Sequence, residues 1–145
     1  MEIQTVGGIK RRVFVSFDTL RERPIRDFFI NQGRREDSTW TVTRWSEEFD
    51  AEDPMWISTT THRIKQAEVL VVLLGPTSCR NPGILKELTI GKILETQIYQ
   101  IIPSGKGTPN VIPNMNRVVI WGWATAKRTI ATMPPKWQTG KLLYA

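Results

Sequence analysis

Cysteine and histidine are almost absent from this 145-residue sequence, which has one of each, Cys79 and His62. A single cysteine cannot form an internal disulfide, and such low usage is typical of a reducing compartment. One cysteine and one histidine also argue against a zinc site and against a Cys–His catalytic pair. We therefore expect His62 to be a solvated residue on the surface of a helix.

Long apolar segments are absent as well. The longest run, "VLVVLL", is far shorter than the roughly 20 residues that a membrane-spanning helix needs. The first residues, "MEIQTVGGIKRR", lack the apolar segment of a secretory signal. The sequence therefore predicts a cytoplasmic location and no membrane partner.

The sequence also lacks the common signatures of α/β enzymes. No GxGxxG follows a predicted strand and no GxxxxGK[ST] occurs, so the usual phosphate-binding loops are missing. There is no GxSxG nucleophile elbow. The third predicted strand ends in Leu74, Gly75 and Pro76 and not in the aspartate of a phospho-receiver. No flavodoxin-type loop rich in Ser, Thr and Gly follows the first strand.

Charge and composition are those of one soluble domain. The apolar fraction is 40%, the charged fraction 23%, and the net charge +6. This positive charge favours anionic partners, namely a nucleotide, a nucleic acid or an acidic protein surface. The basic residues are scattered, without zinc-finger or RNP spacing, so a solvated surface is favoured and nucleic acid is not an expected partner.

Strand-like and helix-like segments alternate along the chain. Strands are predicted at 11–17, 39–44, 67–75, 96–103 and 117–123, and helices at 19–31, 55–66, 82–95 and 124–131. This alternation predicts a three-layer α/β fold with a five-stranded parallel sheet, in a domain spanning 11–131 between an extension, 1–10, and a tail, 132–145. Ligands of such sheets bind at the carboxyl ends of the strands, which points to the loops after Phe17, Arg44 and Gly75.

Glu87 is the most interesting titratable group in this pattern. On a helical wheel it lies near Ile84, Leu88 and Gly91, so we expect it to be partly desolvated. Desolvation raises the pKa of a carboxyl group and favours catalytic use. The alternative is an ordinary carboxylate near a helix N-terminus. Glu95 also lies near an apolar arc, so periodicity alone does not decide between the two.

Several segments resemble the TIR-like family that includes the Thoeris ThsB proteins. They are "RRVFVSFD", "RWSEEFD", "RIKQAEVLVVLLGPTSCRNPGILKELTIGK" and "QIYQIIP". The resemblance implies a flavodoxin-like fold with the strand order 2-1-3-4-5. It also implies cleavage or cyclisation of NAD as the substrate, without a further cofactor or metal, for signalling in bacterial antiviral defence. The family's catalytic glutamate falls on Glu87.

The resemblance further implies which residues surround the substrate. The loop after the first strand contributes Ser16, Phe17 and Asp18, and the loop after the second contributes Trp45 and Ser46. Trp45 has two roles open to it, stacking on a nicotinamide or adenine ring, or capping the end of the sheet. Many members that cleave NAD have an aromatic residue one helical turn before the glutamate. This chain has Gly83 there, and Trp45 or Trp56 is the expected substitute.

The six tryptophans cannot all lie in the central core, so some are expected to line a groove. They are Trp40, Trp45, Trp56, Trp121, Trp123 and Trp137.

A non-enzymatic function is the alternative, because some TIR domains act only by binding other proteins. Such a signalling or scaffold module would self-associate or bind a TIR partner. Residues 46–54, "SEEFDAEDP", have five acidic residues in nine and offer a contact for a basic surface. Simple solvation of this loop is the competing explanation.

Overall fold

The computed structural model describes residues 10–103, 111–113, 117–120 and 122–132. The strands are β1 (Arg11–Ser16), β2 (Trp40–Trp45), β3 (Val69–Leu73), β4 (Gln97–Ile102) and β5 (Arg117–Ile120). The helices are α1 (Arg23–Gly33), α2 (Pro54–Lys65), α3 (Pro82–Ile93) and α4 (Trp123–Ala131). The predicted extension, apart from Lys10, and the predicted tail after Thr132 lie outside the described residues.

The sheet is parallel and confirms the predicted α/β class. Its first four strands lie in the order β2-β1-β3-β4. The short β5 pairs with the far side of β4, also in parallel. Because the strands are parallel, their carboxyl ends meet at one edge of the sheet.

Each face of the sheet has its own hydrophobic core, which produces three layers. Val13 and Val15 of β1 point to one side, where they pack in a cluster with Phe29 of α1. Phe14, between them in sequence, points to the other side and packs with residues of α2 and α3, including Leu88. This alternation is the period of two expected of a strand buried on both faces. Helices α1 and α4 cover one face, and α2 and α3 cover the other.

Capping residues and prolines determine where the helices begin. Asn81 caps α3, where its side chain accepts a hydrogen bond from the Ile84 amide at 3.0 Å. Asp53 caps α2 in the same way. Helix α1 begins at Arg23, as expected from Pro24, which fits only the first helical turn, and not at residue 19, because Asp18 organises a turn ahead of it.

A β-bulge near the end of β2 sets the direction of the side chains that follow it. Val13 pairs with Val42, but the next residue of β1, Phe14, pairs with Arg44, so Thr43 is the extra residue. Trp45 consequently pairs with Val15 and lies on the α1 face of the sheet. Without the bulge, strict alternation would have turned Trp45 to the opposite face.

Two further expectations concern the helices. His62 is exposed on α2, as predicted. Within the described part of the chain, no helix combines the length and the apolar character needed to cross a membrane.

Candidate functional site

The carboxyl group of Glu87 is buried at the carboxyl edge of the sheet. Its residue is only 1% exposed. The Ser16 hydroxyl donates to Glu87 Oε1 at 2.6 Å, and the Ser46 hydroxyl donates to the same oxygen at 2.7 Å. The other oxygen, Oε2, has no hydrogen-bond partner among the described residues. One carboxyl oxygen is therefore held in place by two hydrogen bonds, and the other remains available for a hydrogen bond to a ligand.

Burial dominates the electrostatics of this group. It raises the pKa of Glu87 to about 8, and the hydrogen bonds from Ser16 and Ser46 lower it in part. In the described residues no lysine or arginine forms an ion pair with Glu87. The carboxyl group is consequently mostly protonated at neutral pH in this conformation, and ionising it is costly.

Three elements bring these side chains together. Ser16 ends β1, Ser46 directly follows β2, and Glu87 lies in the second turn of α3. The Ser46 amide continues the sheet by donating to the Val15 carbonyl at 2.9 Å. Because of the bulge, Trp45 points to the α1 face, and Ser46, the next residue, points to the α3 face. The side chain of Ser16 points to the α3 face as well. Both hydroxyls thus approach Glu87 from neighbouring strand ends.

A small cavity adjoins Glu87. Its volume is about 10 Å³, room for about one water molecule. Its lining comes from the loops after β1 and β2 and from the start of α3, with Phe17, Thr19, Ser46, Glu47, Phe49, Asn81, Gly83, Ile84 and Glu87. A ribose or a nicotinamide ring does not fit a space of this size, so the site is closed in this conformation.

Phe49 closes the cavity. A Cβ atom added at Gly83 would lie 2.9 Å from the Phe49 Cβ, so the phenylalanine packs directly over this glycine. The Phe49 ring also makes an edge contact with Trp56, with centroids 4.5 Å apart. The resemblance placed an aromatic residue at position 83; here an aromatic ring from another loop occupies the space above it. Of the two expected substitutes, Trp45 does not line the cavity, whereas Trp56 packs against the Phe49 ring.

The structure brings together four of the six predicted site residues. Ser16 and Ser46 bond to Glu87, and Phe17 lines its cavity. Asp18 and Trp45 do not line this cavity, and their contact with a substrate stays a prediction.

Asp18 is turned toward its own loop. Its carboxylate accepts hydrogen bonds from the amides of Leu20 at 2.9 Å and Arg21 at 3.1 Å, and it lies 3.5 Å from the Thr77 hydroxyl. Burial raises the pKa of Asp18, but these amide bonds and the Arg21 guanidinium outweigh burial and hold the pKa below its ordinary value. Asp18 therefore stabilises the turn after β1.

Trp45 lies on the other face of the sheet. Its residue is 36% exposed, and the Arg26 guanidinium of α1 lies 5.5 Å from the ring centroid. The bulge accounts for this position, because it turns Trp45 toward α1 while Ser46 faces α3. The expectation that some tryptophans lie outside the central core is confirmed at this residue, whereas Trp40 is fully buried.

Sequence reasoning did not find Phe49, although a signal for it exists. Phe49 is the only large apolar residue in the acidic segment 46–54. Removing an aromatic side chain from water is favourable, so a lone aromatic residue in a charged loop is a candidate for a packing contact. Metal ligands are a separate matter: no group of three His, Cys, Asp or Glu side chains suited to a metal ion occurs among the described residues.

Comparisons with known proteins do not assign an activity to this chain. No protein-family model matches the sequence, and no curated protein matches it. Among solved structures, the CMP N-glycosidase BcmB of Clostridium botulinum aligns with 85% of this chain and 100% of its own, at 16% sequence identity and a TM-score of 0.47. A similarity of this size carries no argument about activity.

Proposed function

We propose that this chain is a TIR-like domain that cleaves the N-glycosidic bond of NAD, as a hydrolase or a cyclase, with Glu87 as its catalytic residue. The observation that carries the proposal is the Glu87 carboxyl group itself. It is buried at the carboxyl edge of a parallel sheet, two hydroxyls hold one of its oxygens, and the other has no partner among the described residues.

The chemistry suits a single carboxylate. The bond between the nicotinamide nitrogen and ribose C1′ breaks, and its electron pair neutralises the positive charge of the nicotinamide ring. No acid is needed, because the leaving group departs neutral. The ribose becomes an oxocarbenium-like cation, which a nearby carboxylate stabilises. Water then adds to C1′ and releases a proton to give ADP-ribose, or a nucleophile within the ADP-ribose closes a ring.

The two serines give Glu87 a fixed orientation. With Oε1 bonded to Ser16 and Ser46, Oε2 is the oxygen left for the ribose. Holding a reacting group in place lowers the entropic part of the barrier. The closed cavity requires that the Phe49 loop move before NAD binds, a gating step common to many enzymes.

The wider role in the proposal is signalling in bacterial antiviral defence, and it rests on the sequence resemblance to TIR-like proteins. The parallel order β2-β1-β3-β4, with helices on both faces, agrees with the flavodoxin-like arrangement that this resemblance implies.

The test is nicotinamide release from NAD by the full chain and by two variants. Glu87→Gln keeps the shape of the side chain and an oxygen for the serine hydroxyls, and we expect it to lose activity by about 100-fold or more. Glu95→Gln makes the same chemical change at an exposed position just after α3, and we expect it to retain parental activity. Equal activity of Glu87→Gln and the parent would refute the role of Glu87.

The closed cavity also favours a second candidate, a module that signals by self-association or by binding a TIR partner. It predicts that the parent releases no nicotinamide and that the exposed acidic loop supports association at low salt. Light scattering at two salt concentrations, run beside the activity assay, separates the candidates. A strict monomer at low salt that turns over NAD excludes the second one.

A further inference from the structure

A second concave surface lies between α1 and the end of β2. This surface, here called the α1 groove, has a volume of about 330 Å³, within the range of roughly 300–1,000 Å³ usual for small-molecule sites. Its lining consists of one stripe of α1, the residue that follows this helix and a single residue of β2: Arg26, Asp27, Ile30, Asn31, Arg34 and Trp45.

Trp45 gives the groove an aromatic wall. Arg26 braces this wall, because its guanidinium lies 5.5 Å from the Trp45 ring centroid and its Nε donates to Asp27 Oδ1 at 2.6 Å. Arg26 is therefore already engaged by a carboxylate and a ring. The part of the Trp45 ring that remains exposed offers a flat surface on which a nucleobase stacks favourably.

The far end of the groove is positively charged. Arg34 follows the last turn of α1, is exposed, and donates to Asn31 Oδ1 at 3.2 Å. A helix C-terminus ordinarily repels anions, since its last carbonyls carry partial negative charge. Here the Lys10 ammonium bonds to the Gly33 and Arg35 carbonyls at 3.0 and 2.8 Å, which neutralises that effect. The groove thus runs from an aromatic surface to a cationic end.

We propose that the α1 groove is a separate site that binds a nucleoside diphosphate, with the base on Trp45 and phosphate at Arg34. The amide of Asn31 and the carboxylate of Asp27, which lie between them, suit the hydroxyl groups of a ribose. The inference goes beyond the proposed function, because the groove does not include the Glu87 cavity.

Phe17 places the groove next to the Glu87 cavity. It lines that cavity, and its ring centroid lies 5.0 Å from the Arg26 guanidinium of the groove. Trp45 of the groove and Ser46 of the cavity are also consecutive residues. The aromatic end of the groove therefore adjoins the cavity, whereas the cationic end lies beyond the last turn of α1. A ligand with its base on Trp45 and its phosphate at Arg34 extends away from the cavity, so the groove is a nucleotide site of its own.

Binding of ADP and adenosine, measured by titration calorimetry on the full chain, tests the groove without any turnover. We expect Arg34→Ala to weaken ADP about tenfold and to leave adenosine unchanged. We expect Trp45→Ala to weaken both ligands about tenfold, the size of one base-stacking contact. Arg44→Ala is the matched control. It removes the same charge from the residue next to Trp45, but Arg44 pairs with Phe14 and does not line the groove.

Failure of the groove and failure of the catalytic proposal give different results. If the parent does not bind ADP, or if Arg44→Ala weakens ADP as much as Arg34→Ala does, the groove is refuted, whatever the enzyme does to NAD. If ADP follows the expected pattern but NAD is not cleaved, the groove stands as a nucleotide site and the catalytic proposal fails.

Discussion

At the scale of single residues, Glu87 and Glu95 show how one sequence pattern gives two environments. Both lie near an apolar arc of the predicted helix. Helix α3 ends at Ile93, and Glu95 has left it with a φ of 58°, exposed to solvent. Glu87 lies under the loop after β2 with 1% exposure. The position of the helix end and the loop that covers the helix start decide which carboxylate is desolvated.

The hydrogen bonds from Ser16 and Ser46 to Glu87 lead to a prediction about the pH dependence of the proposed catalysis. Each hydroxyl lowers the pKa of Glu87, so Ser16→Ala or Ser46→Ala raises it further. In the proposed mechanism the carboxylate is the active form, so we expect kcat/KM for NAD to rise with pH through the pKa of Glu87 in the parent. In the variants this rise moves to higher pH. A shift of about one pKa unit lowers kcat/KM at pH 7 about tenfold.

The measurement is nicotinamide release between pH 6 and 9.5, with the exposed Ser58→Ala of α2 as the control. Rates of the two variants should approach the parental rate at high pH. A parental rate that falls above pH 8 would mean that the protonated group is the active one, and would contradict the mechanism.

At the scale of elements, the loop between β2 and α2 acts as a cover over the site. Glu47 is anchored by a salt bridge to Arg63 at 2.9 Å and accepts a bond from the Trp56 indole at 3.4 Å. At its other end, Asp53 caps α2. Phe49, between these anchors, is half-buried over Gly83. The anchors hold the loop ends, so opening needs only the middle of the loop to move.

Two variants should open this cover by different means. Phe49→Ala removes the ring, and Gly83→Ala displaces it, because the added methyl group would lie 2.9 Å from the Phe49 Cβ. A larger population of open molecules lowers the KM for NAD severalfold in both variants, since a closed majority weakens apparent affinity. The exposed Leu85→Ala of α3 is the control. A higher KM in both variants would show that Phe49 helps to bind the substrate.

At the scale of the whole molecule, the parallel sheet assembles the candidate site and the net charge attracts anionic ligands. Ser16, Ser46 and Glu87 are far apart in sequence and meet because parallel strands end at one edge. A net charge of +6 draws anionic ligands such as a dinucleotide toward the molecule. The closed site, however, makes the whole fold sensitive to the ionisation of one carboxyl group.

This sensitivity predicts how stability depends on pH. The pKa of Glu87 is about 8 in the folded state, against an ordinary value of 4.5. The folded state therefore holds the proton more tightly, so the stability linked to it is fully present below pH 4.5 and is lost as pH rises through about 8. At about 1.4 kcal/mol per unit, the full loss is of the order of 5 kcal/mol.

Urea unfolding of the parent and Glu87→Gln from pH 5 to pH 9 measures this effect. The amide does not ionise, so the free energy of unfolding of the variant, relative to the parent, should rise with pH. A difference that stays constant over this range would show that Glu87 does not titrate as its burial requires.

Much of the architecture follows from the sequence alone. Buried strands have uninterrupted apolar runs, such as the one containing Val69 and Leu73, and helices begin at Pro and Asn or Asp signals, so the α/β class and the parallel sheet are predictable. Glu87 can be selected because helical periodicity places it among apolar neighbours. Phe49 cannot be assigned a partner in this way, because its contact with Gly83 joins two loops that no periodicity relates.

The sequence by itself determined the order of the elements, the apolar runs of the buried strands and the candidate carboxylate, because these depend on local periodicity and composition. Only the tertiary structure decided where Trp45 and Ser46 point. The bulge at Thr43 is a shift in the pairing register of β2 with β1, so the sequence of β2 alone does not reveal it. That one extra residue sends Trp45 to the α1 groove and Ser46 to Glu87, and so divides the predicted single cleft into two sites.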